Sequence, residues 1–138
     1  MIPQFDQEIY DEAFRISLGL NYKTFDYLPA EEETYPFVYI GQTQELPLAT
    51  KSGIAGELQL TIHIYAEMEN RGLISQMKGN LIEQFSRLKE TKHFKCALTR
   101  NTTQPTTILE QGTNQLPQHR PLWHVIIPLH IKYIPKGV

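Results

Sequence analysis

Between Gly56 and Glu90 the hydrophobic period of the chain changes once, and that change constrains the fold more than any other feature. In GELQLTIHIYAE, Leu58, Leu60, Ile62 and Ile64 alternate with Gln59, Thr61, His63 and Tyr65, which predicts a strand with one buried face. In the following MENRGLISQMKGNLIEQFSRLKE, Leu73, Met77, Leu81, Phe85 and Leu88 recur at helical spacing. Lys78, Glu83, Arg87 and Lys89 fall elsewhere, so the segment predicts an amphipathic helix. Each element leaves an apolar side that the other, or something like it, must cover.

The rest of the chain supplies the remaining layers. Phe5, Ile9, Ala13, Ile16 and Leu20 keep helical spacing, acids cluster early where they suit the helix dipole, and Gly19 and Asn21 mark the end. The segment NYKTFDYLPAEEET has no clean period and reads as a surface connection outside the sheet. YPFVYIG reads as a first strand, followed by the stretch 42–55, which is either a long hairpin arm or a flexible loop. HFKCALT and Thr106 to Glu110 predict two further strands. From Pro121 to Ile134 a long strand sets Trp123, Val125, Ile127, Leu129, Ile131 and Tyr133 on one face. Pro128 cannot donate to a ladder, so that strand lies at an edge there or carries a bulge. The order predicts an α+β fold: a mostly antiparallel sheet of four to five strands against two helices, in one domain of 138 residues with an arm at 42–55.

Composition narrows the function. Cys96 is the single cysteine and cannot form an internal disulfide, the acidic N-terminus lacks a signal pattern, and no apolar run reaches bilayer-spanning length. These point to a protein of a reducing compartment with no membrane partner. The net charge of −2 is uneven: residues 1–33 carry −6 and residues 71–100 carry +5. Either these are solvated faces of two helices, or acidic and basic faces meet between subunits and set their register.

No catalytic or metal constellation stands out. His63, His93, His119, His124 and His130 include no tight helical ligand pair. His124 and His130 share a strand face and would meet His63 if the strands were neighbours, although histidines on a polar strand face are usually solvated. Cys96 falls on the apolar side of its strand and reads as a packed thiol, with His93 on the other side. Gly53 and Gly56 do not make a phosphate loop, the run Glu31, Glu32 and Glu33 reads as solvent-facing, and the basic stretch 89–100 has one aromatic for base stacking. An enzyme is the less favoured class, and no cofactor is expected. Its best form would be a small-ligand or enzymatic site on the polar sheet face around His63 and His124.

YPFVYIG, the loop with Lys51, Ser52 and Gly53, GELQLTIHIYAE, the helix after it and the closing strand WHVIIPLHI together resemble the tail-completion (tail-terminator) proteins of long-tailed bacteriophages. The resemblance spans about Tyr35 to Phe85 plus the last strand, and it is a pattern without an invariant motif. It implies a structural role: a six-subunit ring that caps the head-proximal end of the tail tube and presents a surface for head–tail joining. The implied partners are further copies of the chain, the major tail tube protein and a head-completion or connector protein. Genomic DNA would pass through the lumen without tight binding. The implied location is the virion tail, with the host cytoplasm as the place of assembly. Candidate contact residues are Glu45 and Lys51 on the arm, Lys78, Arg87 and Lys89 on the basic helix, and Glu31, Glu32 and Glu33 in the acidic loop.

Overall fold

A computed structural model of the chain describes residues 2–29, 35–50, 53–99, 103–110 and 121–137. Helix α1, Phe5–Gly19, has Asp6 and Glu8 in its first turn and buries Phe5, Ile9, Ala13 and Ile16. The chain leaves it through Asn21, whose φ of 66° is the left-handed conformation that asparagine tolerates. Strand β1, Thr24–Phe25, follows and runs parallel to Val38–Tyr39. The connection expected outside the sheet therefore contributes an edge strand, anchored by the Val38 N–H donating to the Lys23 carbonyl at 2.7 Å. Two residues cannot display a period, so this strand leaves no pattern in the sequence.

Strands β2, Phe37–Thr50, and β3, Gly53–Glu67, form a long antiparallel hairpin. A 3-10 turn at Met68–Asn70 leads into α2, Arg71–Arg87, which buries Ile74, Met77, Leu81 and Phe85. The buried stripe thus begins at Ile74, while Leu73 is exposed, and Lys89 lies beyond the helix end. Strands β4, Phe94–Leu98, β5, Thr106–Glu110, and β6, Leu122–Pro135, complete the fold. Among the described residues the sheet has six strands, one more than the upper expectation, and only β1 pairs in parallel.

The order β1-β2-β3-β6-β4, with β5 also on β6, places β3 and β6 at the centre. Cross-strand rows Val38–Ile64–Val125 and Ile40–Ile62–Ile127 form one face. These rows join the stripes of both helices in a single core, so both helices cover the same side of the sheet. The β3–β6 register runs from Gly56↔Tyr133 to Glu67↔Leu122 without a slip, so Pro128 produces no bulge. Instead, β4 pairs with residues 131–135 of β6 and β5 with 122–126, which leaves Pro128 between them. The His130 carbonyl accepts from the Thr99 N–H on that edge, so the amide position of Pro128, two residues away, faces the same edge.

A bulge does occur in β2. Ile40 pairs with Ile62 but Thr43 with Leu60, so one extra residue is inserted near Gly41. A Cβ at Gly41 would lie 2.7 Å from the Thr61 carbonyl oxygen and 3.1 Å from the His63 ring, which explains glycine there. Inserting one residue reverses which side chains face which way. Val38 and Ile40 face the helices before the bulge, and Thr43 and Glu45 occupy that face after it.

Candidate functional site

Two regions concentrate the chemistry of the chain. The first lies on the sheet face away from the helices, where the register sets Tyr39, His63 and Ile126 in one row and Phe37, Tyr65 and His124 in the next. The rings of Tyr35, Phe37, Tyr65, His124, His63 and Tyr39 stack in sequence, with neighbouring centroids 4.2 to 5.3 Å apart. His124 is 5% exposed, against the expectation of a solvated histidine, because these rings cover it.

Hydrogen bonds cross the same face. His124 Nδ1 lies 2.6 Å from Glu110 Oε1 of β5, and His63 Nδ1 lies 2.7 Å from His124 Nε2. A carboxylate only accepts, so Nδ1 of His124 carries the hydrogen; in the neutral pair its Nε2 then accepts from His63. Burial, and then the neighbouring His124, push the His63 pKa down to about 4, outweighing the pull of Glu110. Burial also pushes the Tyr65 hydroxyl up to about 12, with Glu110 adding to it. The chain of groups can pass a proton but ends on no activated nucleophile. His130 pairs with Gln59 further along the strands and does not join it. Among the described residues no three His, Cys, Asp or Glu side chains are placed to hold a metal ion. Cys96 is buried, and burial pushes its thiol up to about 11.

The second region is the helix layer. At the N-terminal end of α1 a cavity of about 600 Å³ is floored by Phe5, Phe94 and Tyr133 and rimmed by Glu45. Phe5 stacks on Tyr133 with centroids 4.2 Å apart, and Phe94 meets both rings edge-on. At the opposite end, Arg15 and Arg87 rim a cleft of about 320 Å³ with Gly19 and Leu20. A helix of this length separates the two by about 20 Å.

The candidate contact residues are scattered accordingly. Glu45 sits at the first cavity, Arg87 at the second cleft, and Lys78 is half-buried on α2. Lys89 donates to the Ser86 carbonyl at 3.4 Å. Lys51 and Glu31, Glu32 and Glu33 lie outside the described residues. The pairing of Glu110 with His124 is not legible in the sequence because nothing in β5 announces which strand it joins. Its one signal is the alternation that puts Glu110 and Ile108 on one face.

No family model matches the chain, and no curated protein matches it. Among solved structures, the chain is similar to one in the virion of a native gene transfer agent particle. That match has 7% identity and a TM-score of 0.63, and it covers 90% of each chain. The likeness shows that this α+β arrangement, across nearly its whole length, recurs in a chain of that particle.

Proposed function

We propose that the protein is a structural component of a phage-like virion. In this reading it closes the head-proximal end of the tail tube as a six-subunit ring and provides the surface for head–tail joining. The observation that carries this is the likeness of fold, over 90% of both chains, to a chain from a gene transfer agent virion. The hairpin supports it. Residues 48–50 and 53–55 pair with each other beyond Gly56, where β6 stops pairing with β3, so this part of the hairpin extends as an arm. Such an arm suits contact with the tube protein or a neighbouring subunit. Head-completion protein would meet the ring's other side, and DNA would cross the lumen, held loosely given the net charge of −2. Electron microscopy of a phage lacking the gene tests the reading. Uncapped tails or tails detached from heads are expected; normal joined particles would end it.

One observation favours a second reading. The contact between His63 and His124 on the sheet face is the arrangement a small-ligand or enzymatic site would use. Replacing both histidines with alanine abolishes function under that reading, whereas phage yield unchanged by the double variant supports the first.

A further inference from the structure

The two ends of the helix layer differ in chemistry, and each matches the other. The floor of the larger cavity is aromatic, and Ile2, 75% exposed, extends the apolar surface at its mouth. Its carboxylate, Glu45, has no ion-pair partner among the described residues. Two groups on the same wall have carboxylate partners of their own: His93 Nδ1 lies 2.7 Å from Glu8, and Lys136 pairs with Glu90 at 2.8 Å. Burial raises the Glu45 pKa, and Asp6 raises it further, so a cation arriving from outside would relieve an unfavourable charge. At the other end, the ion pairs of Arg87 and Arg15 among the described residues are helix-surface pairs with Glu83 and Glu12. Surface pairs of this kind, that of Lys136 with Glu90 included, are weak and exchange readily. Leu20 and Leu88, which line the same cleft, supply apolar surface beside them.

We infer that these ends dock on one another between copies of the chain, the arginine-rimmed end of one copy seating in the Glu45 cavity of the next. An arginine fits because its aliphatic stem can lie along the aromatic floor while the guanidinium reaches the carboxylate at the rim. The two surfaces are different patches of one chain, so the contact is heterologous: repeated, it closes into a ring or runs on as a filament. This deepens the ring proposed above and rests on it for closure. The bulge in β2 is what brings Glu45 to the cavity, since without the inserted residue Gln44 would replace it opposite Leu58.

Sedimentation velocity on purified protein tests the docking with Glu45→Arg, Arg87→Glu and the double variant. Both residues are exposed, and a thermal melt confirms that each variant folds. Each single variant is expected to weaken self-association by about tenfold or more. The double variant, and an equimolar mixture of the two single variants, should recover it, because both restore an opposite-charge pair at the junction. Self-association unmoved by either single change overturns the docking and leaves the ring reading standing. So does a loss that the double variant and the mixture fail to repair. A wild-type chain that stays monomeric at high micromolar concentration also overturns it, as would tail capping that still depends on Glu45, which would assign the cavity to a cation of another virion protein. Charge-swap recovery alongside normal tails in phage lacking the gene would retain the docking and remove the ring reading.

Discussion

Leu60 is fully buried between Thr43 and Leu129, so an aspartate there would place an unpaired charge in the core. Leu60→Asp should cost about 4 kcal/mol or more and leave an unfolded or insoluble chain, read by circular dichroism. His63 makes a subtler prediction. Its folded pKa, about 4, lies below the ordinary 6.5, so above pH 6.5 it is neutral whether the chain is folded or not. As the pH falls from 6.5 towards 4 the unfolded chain takes up a proton that the folded one refuses, and stability declines; below about 4 the loss levels off. Because the ring is only half-buried, solvent screening reduces the full effect to about 1–2 kcal/mol. Urea unfolding at pH 7 and pH 4.5 should reveal the decline in the wild type and a smaller one in His63→Phe. Cys96 should resist thiol reagents at pH 8 until the protein unfolds, since the thiol is buried and its pKa is about 11. Rapid labelling of the native protein would contradict that packing.

At the scale of elements, period located both helices and strands β3, β4 and β6, and the β-branched and aromatic run YPFVYIG located β2. Where structure departs from it, the cause is something period does not encode. β1 is too short to show alternation and is placed by the turn at Asn21 and by the Lys23 carbonyl. The α2 stripe has apolar residues at both 73 and 74, and packing selected Ile74. The sequence marks Glu45 as a charged residue of the arm, but its orientation follows from a bulge that a lone Gly41 hardly signals. The pairing of Glu110 with His124 depends on which strand β5 joins, a long-range choice invisible to local pattern. Gly41→Ala tests the bulge. Its Cβ would come within 2.7 Å of a backbone oxygen, and a loss of about 1–3 kcal/mol is expected by denaturant unfolding. An unchanged midpoint would mean that the strand pair relaxes around the added methyl.

The whole molecule divides into a body and an arm. Beyond Gly56 the hairpin has lost β6 as a neighbour, so its distal part adds little to the stability of the body. Replacing residues 48–55 with a two-residue turn should move the melting temperature by less than about 4 °C, while under the proposed function it prevents productive tail assembly. A large drop in melting temperature would make the arm part of the fold.

The position of Pro128 also bears on how the molecule avoids unwanted company. β6 is fourteen residues long, and its outer side is shared by two short strands that, among the described residues, leave an opening between them. A bare stretch in a central strand would ordinarily invite a foreign strand to add itself and start aggregation. Here the residue in the opening has no N–H to offer, so an intruding strand finds a missing rung where it would begin to pair. Proline at this position lets two small strands share one long one without leaving a sticky seam.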